Sequence, residues 1–415
     1  MPNYYIWTIG CQMNKAESER LASLFEETGY RLVSAIAQAD IVVVNTCVVR
    51  QNAEDRAVNK LHNLKPLKKS RPDMLIAVTG CWVDSNVGRL KAAFPFVDYF
   101  FKAGDCPPWA DKEQWAKTLP QQPQVAAYVP IIHGCNNFCA YCVVPCRRGR
   151  EKSRPLSEIV CEVKELARRG TKEVTLLGQN VDSYGHDLPE KPELADLLTE
   201  LDGVNGLYRI RFLTNHPKDM SRRLIKTVAR LEKVCKNITL PAQAGSNEIL
   251  KAMRRGYTIE DYKRLVADIR SEIPGVGLVS DIIVGFPAET EEQFQQTVYL
   301  LTELKFDTVH LAAYSPRPGT IAARELADDV PLSEKKRRLA VLEKLQENIV
   351  TEINTELKGK TVEILVEGKQ KGKWYGRTGT DKLVFFSDDA NYIGKLVNLR
   401  IELSSPWSLQ GIVNY

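Results

Sequence analysis

The chain of 415 residues corresponds to roughly three domains at about 150 residues each, and its 44% apolar content excludes global disorder. Its net charge of +5 is compatible with nucleic acid without indicating it, and ten cysteines are too few for a disulfide scaffold. We expect no signal peptide, since the first residues lack a basic region followed by an apolar one, and no membrane span, since no apolar run is long enough. We therefore expect a cytoplasmic protein whose reduced thiols bind metal or act in catalysis.

The N-terminal part of the chain repeats a strand pattern followed by a helix pattern. Apolar extended runs end just before Cys11, Cys47 and Cys81, with helical apolar spacing between them. Alternating strands and helices imply a parallel sheet, whose sites form beyond the carboxyl ends of the strands. We therefore expect a Rossmann- or flavodoxin-like domain over residues 1–105. The three cysteines, called the N-terminal triad below, should converge at one edge of its sheet.

A second region with alternating strands and helices follows residues 106–125, a segment rich in proline, glutamine and tryptophan that we interpret as a linker. Six strand patterns follow it, at Ala127–Ile132, Glu173–Gly178, Tyr208–Leu213, Asn237–Leu240, Gly277–Val284 and Thr308–Tyr314. Six β/α units over residues 126–350 suit a partial TIM barrel, (β/α)6, with its site at the carboxyl ends of the strands.

The last part of the chain, residues 356–415, follows a long amphipathic helix that has Leu342 and Ile349 on its apolar face. Short strand patterns separated by glycine turns predict a small antiparallel β-barrel here. The expected fold class is therefore α/β, with a parallel sheet, a partial barrel and a small β-barrel in that order.

The loop after the first barrel strand carries a C-x3-C-x2-C motif formed by Cys135, Cys139 and Cys142, called the loop triad below. Three thiolates suit three irons of a cubane cluster and leave the fourth iron open to an exogenous ligand. Such an iron can chelate S-adenosylmethionine, whose reductive cleavage releases a deoxyadenosyl radical. The alternative is structural zinc, although zinc sites usually have four ligands in two C-x2-C pairs.

Longer motifs accompany the loop triad across nearly the whole chain. They include Gly10–Asn14 (GCQMN), Val143–Pro145 (VVP), Val174–Val181 (VTLLGQNV), Met253–Tyr257 (MRRGY), Asp281–Pro287 (DIIVGFP) and Tyr314–Thr320 (YSPRPGT). Together they resemble the methylthiotransferase branch of the radical S-adenosylmethionine superfamily. The C-terminal region resembles a TRAM domain, an RNA-binding β-barrel.

This resemblance implies two 4Fe–4S clusters. The loop triad would hold the radical-generating cluster, and the N-terminal triad would hold an auxiliary cluster whose open iron carries the sulfur to be donated. One S-adenosylmethionine would methylate that sulfur and a second would form the radical. The cofactor contacts are then expected at or just beyond strand ends, from Tyr141, Gln179, Asn180, Gln243, Ser246 and Arg254. Arg254 could pair bidentately with the carboxylate of S-adenosylmethionine.

The reaction implied by the resemblance replaces the C2 hydrogen of N6-isopentenyladenosine, next to a tRNA anticodon, with a methylthio group. This C–H bond offers no acidic proton to a general base, so a radical route is chemically reasonable. Two alternatives apply the same chemistry to threonylcarbamoyladenosine in tRNA or to an aspartate of a ribosomal protein. An alternative of another class is a non-catalytic iron–sulfur or zinc protein that binds RNA.

Basic residues crowd beside the loop triad and in the C-terminal region, where they flank an aromatic residue. Cations with stacking aromatics suit a single-stranded RNA loop, so RNA contacts are expected from Arg147, Arg148, Arg150, Lys371, Lys373, Trp374 and Arg377. The expected partners are the anticodon stem-loop of tRNA and an electron donor such as flavodoxin or ferredoxin. We expect no membrane partner and a monomeric enzyme.

The chain departs from the family pattern at Cys146, where a tyrosine is usual. Cys146 is a candidate fourth ligand of the loop cluster, and a fully thiolate-bound cluster would leave no open iron for S-adenosylmethionine. We expect Pro145 to turn the chain away and to keep this thiol off the cluster.

Overall fold

A parallel sheet, a partial barrel and a small closed barrel follow one another in the computed structural model, which describes residues 1–48, 51–83, 86–119 and 124–414. This confirms the predicted α/β class and the predicted order of its three parts. Within the described residues, no helix combines the length and the apolarity that crossing a membrane requires.

The N-terminal domain is a five-stranded parallel sheet in the order β2-β1-β3-β4-β5. Its elements are β1 (Asn3–Thr8), α1 (Gln12–Glu27), β2 (Arg31–Leu32), β3 (Ile41–Thr46), α2 (Gln51–Ser70), β4 (Leu75–Gly80), α3 (Val87–Ala93), β5 (Tyr99–Phe100) and α4 (Lys112–Lys117). Every residue of β3 is buried, because this central strand is covered on both faces. Its run of β-branched residues suits that position.

The predicted linker over residues 106–125 contains α4 and two tryptophans that pack on the N-terminal domain. The ring of Trp109 stacks on Phe25 of α1 at 5.9 Å, and the guanidinium of Arg20 lies 4.2 Å from the ring centroid of Trp115. Much of this segment therefore forms part of the N-terminal core, which the proline and glutamine content did not suggest. Residues 120–123 of the predicted linker lie outside the described residues.

Six parallel strands form the central partial barrel, in two groups ordered β10-β9-β6 and β11-β12-β13. A bridge between Ile210 and Val234 joins the two groups. The elements are β6 (Ala126–Pro130), β7 (Ile132–His133), α5 (Val144–Arg148), β8 (Lys152–Ser153), α6 (Leu156–Arg168), β9 (Glu173–Leu177), α7 (Leu194–Asp202), β10 (Arg209–Phe212), α8 (Arg222–Arg230), β11 (Asn237–Thr239), α9 (Asn247–Ala252), α10 (Ile259–Glu272), β12 (Gly277–Val284), α11 (Glu291–Leu304), β13 (Thr308–Ala313), α12 (Ile321–Glu325) and α13 (Leu332–Thr355).

The C-terminal region is a closed barrel of five strands in the order β14-β15-β16-β18-β17. Its strands are β14 (Thr361–Gln370), β15 (Lys373–Thr378), β16 (Leu383–Phe386), β17 (Leu396–Ser404) and β18 (Leu409–Val413). The pairing of β16 with β18 is parallel and the other pairings are antiparallel. The sequence predicted four strands here, at Thr361–Glu367, Lys373–Gly379, Leu383–Phe386 and Leu396–Leu403, and β18 is the additional strand that closes the barrel.

The C-terminal barrel packs against the amino ends of the central strands. Arg209, the first residue of β10, donates from Nη1 to the carbonyl oxygen of Arg377 at 2.5 Å, and Arg211 on the same strand donates from Nη2 to the carbonyl oxygen of Thr378 at 2.6 Å. Lys382 pairs with Asp307, just before β13, at 2.8 Å. The C-terminal barrel therefore does not cover the opposite, carboxyl ends of the central strands, where the loop triad and the N-terminal domain lie.

Candidate active site

The sheet brings the N-terminal triad to one edge. Cys11 is the N-terminal cap of α1, Cys47 follows β3 and Cys81 follows β4. The strands preceding these cysteines, β1, β3 and β4, are neighbours in the sheet. The backbone N–H of Cys81 donates to the carbonyl oxygen of Thr46 at 2.8 Å, which places Cys81 beside Cys47.

Close backbone packing and a buried amide support this arrangement. Gly80 has a φ of +98°, and a Cβ there would lie 2.2 Å from the carbonyl oxygen of Thr46, so only glycine allows β4 to approach β3 this closely. The buried Asn14 accepts hydrogen bonds at Oδ1 from both the backbone N–H and the thiol of Cys11, each at 3.3 Å. Its Nδ2 donates to Asn45 Oδ1 at 2.8 Å, which ties the start of α1 to β3.

The loop triad lies in a compact loop after β7. Gly134 opens the loop with a φ of +74°, where a Cβ would lie 2.1 Å from a backbone oxygen of the returning chain. The N–H of Cys135 donates to the carbonyl of Gly149 at 3.2 Å, and the N–H of Cys142 donates to the carbonyl of Cys139 at 3.0 Å. The first bond closes the loop on the chain that returns after α5, and the second holds Cys142 next to Cys139.

The thiols of the loop triad interact electrostatically. The pKa of Cys135 is raised to about 11 and that of Cys142 to about 12, mainly by burial, and the neighbouring thiol of Cys139 contributes to both shifts. Loss of the proton therefore needs positive charge close by, which bound iron would provide. Three neighbouring thiols fit three irons of a cubane cluster, since each cysteine binds a separate iron. Within the described residues, no three His, Cys, Asp or Glu side chains surround a site for a single metal ion.

A buried arginine that the sequence analysis missed lies beside the loop triad. Arg255 donates from Nη1 to the sulfur of Cys139 at 3.2 Å and to the hydroxyl of Tyr141 at 3.3 Å. Its Nη2 donates to the carbonyl oxygen of Pro241 at 3.1 Å. The guanidinium therefore offsets negative charge on the thiolates and fixes the ring of Tyr141, the predicted S-adenosylmethionine contact.

Two of the residues predicted to contact S-adenosylmethionine, Arg254 and Ser246, have side chains that contact other parts of the chain. Arg254 has a φ of +57°, and its side chain is 53% exposed and paired with Glu325 at 3.2 Å. Ser246 is the N-terminal cap of α9 and lines a cavity of about 360 Å³ among the barrel helices, together with Glu260 and Tyr299. Their contacts with S-adenosylmethionine stay predictions.

The other predicted contacts present buried polar atoms at the carboxyl ends of the strands. The side-chain oxygens Gln179 Oε1, Asn180 Oδ1 and Gln243 Oε1 are buried and have no hydrogen-bond partner among the described residues. Asn180 is held in place by Asp219, whose Oδ2 accepts from Asn180 Nδ2 at 2.7 Å. Buried acceptors of this kind need donors, and the amino, hydroxyl and adenine N–H groups of S-adenosylmethionine supply them. These residues therefore fit the cofactor.

Cys146 lies on α5, and its thiol contacts the carbonyl oxygen of Gly319 at 3.4 Å. The side chain is exposed, and Pro145 stands in the first turn of the helix, where proline is favoured. This thiol is therefore directed to the loop that follows β13.

The residues predicted to contact RNA divide into exposed and buried ones. Arg150, Lys371 and Lys373 are exposed, and the guanidinium of Arg150 lies 4.4 Å from the ring centroid of Phe138. Arg147 and Arg377 are partly exposed. Two residues do not agree with the expectation: Trp374 and Arg148.

Trp374 is 9% exposed and packs in the core of the C-terminal barrel, with its Nε1 donating to the carbonyl of Asp388 at 3.1 Å. Its ring faces inward because side chains alternate along β15, so it is not available to stack on bases. The side chain of Arg148 is buried between the N-terminal domain and the central barrel, so it does not present its charge to RNA.

The chain matches three known families. Residues 3–102 match the uncharacterized protein family UPF0004, residues 129–301 match the radical SAM superfamily, and residues 356–413 match the TRAM domain. The radical SAM match indicates an iron–sulfur cluster and S-adenosylmethionine as cofactors, and the TRAM match indicates RNA binding.

Curated relatives match the chain over nearly its whole length. A tRNA-2-methylthio-N(6)-dimethylallyladenosine synthase of Dehalococcoides mccartyi is 55% identical over 99% of this chain and 98% of its own. Synthases of the same name from Chloroflexus aurantiacus and Carboxydothermus hydrogenoformans are 50% and 43% identical, covering 91% and 99% of their own length and 99% of this chain.

A solved structure shares the fold at low sequence identity. The radical S-adenosylmethionine methyltransferase TsrM of Kitasatospora setae, with cobalamin and a 4Fe–4S cluster bound, has a TM-score of 0.55 and 15% identity over 90% of this chain and 77% of that one. From the identity to the curated synthases along the full chain, and from the radical SAM and TRAM matches, it follows that this chain is an enzyme of the MiaB family of radical S-adenosylmethionine methylthiotransferases.

Proposed function

We propose that this enzyme replaces the C2 hydrogen of N6-isopentenyladenosine, next to a tRNA anticodon, with a methylthio group. The main support is the presence of two cysteine triads at strand ends in two adjoining domains, in a chain 55% identical to a synthase named for this product. The loop triad would hold a radical-generating 4Fe–4S cluster, and the N-terminal triad an auxiliary 4Fe–4S cluster. When bound, these groups supply the electron that cleaves S-adenosylmethionine and the site that carries the donated sulfur.

The residues around the loop triad have separate tasks in this proposal. Tyr141, Gln179, Asn180 and Gln243 bind and orient S-adenosylmethionine. Arg255 compensates charge at Cys139 and keeps the ring of Tyr141 in place. Four of the six cysteines, Cys47, Cys81, Cys135 and Cys139, are buried, and this setting limits the access of water that would otherwise react with a radical. The electron donor, a flavodoxin or ferredoxin, the cytoplasmic location and the monomeric state stay predictions.

The substrate is tested with anaerobically reconstituted enzyme, S-adenosylmethionine, a reductant and three acceptors. These are tRNA bearing N6-isopentenyladenosine, tRNA bearing threonylcarbamoyladenosine, and a ribosomal protein with an exposed aspartate. Mass spectrometry of the products should show methylthio addition to the isopentenyladenosine alone. Addition to either other acceptor instead would overturn the substrate, and iron uptake without S-adenosylmethionine cleavage would favour the non-catalytic RNA-binding protein.

Removal of the C-terminal barrel tests the RNA-binding part of the proposal. A chain ending at Lys358 should lose tRNA binding yet keep both clusters, since both triads lie in the preceding domains. Binding by the full chain should also weaken as salt rises, because lysine contacts to phosphates release counterions. Fluorescence anisotropy with a labelled anticodon stem-loop measures both effects.

Point variants separate loss of RNA contacts from loss of the whole domain. Lys371→Ala/Lys373→Ala removes two exposed cations from the hairpin of β14 and β15 and should weaken binding. Lys344→Ala, on the exposed face of α13, is the matched control and should not. Undiminished, salt-insensitive binding by the truncated chain would refute the assignment of RNA binding to this barrel.

A further inference from the structure

Arg148 crosses the interface between the two domains that carry the triads. It is the last residue of α5, the helix that follows the loop triad directly. Its Nε donates to the sulfur of Cys81 at 3.2 Å, and its Nη1 donates to Glu17 Oε1 at 2.7 Å. A cation that belongs to the barrel domain is thus held at the thiol site of the N-terminal domain.

This ion pair is almost completely removed from solvent. The side chain of Arg148 is 3% exposed and that of Glu17 is 9% exposed. One atom of each, Arg148 Nη2 and Glu17 Oε2, is buried without a hydrogen-bond partner among the described residues. Burying two charges with incomplete hydrogen bonding adds little or nothing to stability. The position of the pair is therefore better explained by what its guanidinium does to Cys81.

We propose that Arg148 is a positioning residue for the auxiliary cluster. Its N–H fixes the sulfur of Cys81, and its charge compensates the thiolate that binds iron. Because α5 follows Cys142 directly, the same contact also sets the position of the N-terminal triad relative to the loop triad. The inference rests on the proposed function, in which the N-terminal triad holds a second cluster.

A hydrogen bond to a ligand sulfur has a measurable electronic effect. It stabilises the more negative, reduced form of an iron–sulfur cluster, so it raises the reduction potential. Without Arg148, the auxiliary cluster should have a lower potential and should bind its iron more weakly. Cleavage of S-adenosylmethionine at the loop triad should continue, because none of the residues that line that site is altered.

The potential is measured in a background that retains only the auxiliary site. The triple variant Cys135→Ala/Cys139→Ala/Cys142→Ala, reconstituted with iron and sulfide, is titrated and followed by electron paramagnetic resonance. Adding Arg148→Met should lower the potential and speed the loss of iron to a chelator. Arg168→Met, which alters an exposed arginine of α6, is the matched control and should change neither.

The coupling between the two sites is measured in the chain with all its cysteines. For Arg148→Met, the ratio of methylthio product to deoxyadenosine should fall roughly 10- to 100-fold, the usual effect of losing a residue that orients a metal ligand. If the single variant does not fold, the same measurements are made on Arg148→Met/Glu17→Gln, which removes both charges and so leaves no unpaired buried charge. An unchanged potential, iron retention and product ratio would overturn the inference. Absence of iron from the triple variant would instead refute the second cluster.

Discussion

Replacing Cys139 with alanine is expected to abolish S-adenosylmethionine cleavage and to remove about four of the eight irons that two cubane clusters contain. Cys139 is buried, receives a hydrogen bond from Arg255 and lies between the other two cysteines of the loop triad. With two thiolates left, the loop cannot hold a cubane with three ligated irons. Iron analysis after anaerobic reconstitution and chromatographic detection of deoxyadenosine measure the two effects.

Cys146→Tyr is the control for this experiment, and it also tests the departure from the family pattern. Because the Cys146 thiol contacts the carbonyl of Gly319, the variant should keep its iron and its activity. Loss of iron from Cys146→Tyr would make Cys146 a cluster ligand. If Cys139→Ala kept its full iron content and still cleaved S-adenosylmethionine, the loop triad would not be the site of this reaction.

Arg211→Met is expected to lower the free energy of unfolding of the unit formed by the central and C-terminal barrels by about 3–5 kcal/mol. Arg211 and Glu173 are 7% and 5% exposed and are joined at 2.8 Å. Arg211 also donates to the carbonyl oxygen of Thr378, so it joins the two barrels. Its removal leaves the Glu173 carboxylate buried without a counter-charge. Urea unfolding followed by tryptophan fluorescence measures the change.

Two further variants test whether the loss of stability comes from the unpaired buried charge of Glu173. Arg223→Met breaks exposed ion pairs with Glu193 and Asp196 and should cost about 1 kcal/mol. Arg211→Met/Glu173→Leu removes both buried charges and should recover part of the stability lost in the single variant. If Arg211→Met destabilises no more than Arg223→Met, the buried pair does not stabilise the contact between the barrels.

The positions of both triads could be predicted because they depend on local patterns. Three apolar strands that each end next to a cysteine, in a parallel sheet, bring those cysteines to one edge irrespective of the remaining packing. The loop triad could be predicted from the spacing of its cysteines and from its place after the first barrel strand. The family resemblance, supported by curated relatives up to 55% identical, added the reaction.

The details that could not be predicted depend on side-chain direction and on contacts between domains. Sequence alone does not say which of Arg254 and Arg255 faces the thiols, whereas the contacts in the structure show that Arg255 does and that Arg254 pairs with Glu325. The aromatic content of the tail did not reveal that Trp374 points into its barrel. Arg148 looked like one cation of a basic cluster, and only its contact with Glu17, distant in the sequence, shows it to be buried.

The attachment of the C-terminal barrel to the amino ends of the central strands has a consequence for the length of RNA that the enzyme covers. The loop triad lies at the other end of those strands, and β12 alone has eight residues. At about 3.3 Å per residue, the two surfaces are separated by roughly 25 Å. In the proposed function, RNA bound at the C-terminal barrel would extend along the side of the central barrel before its modified base reaches the thiols. The length of the central barrel would thus determine which nucleotide reaches the thiols, namely one at a fixed distance from the bound part of the tRNA.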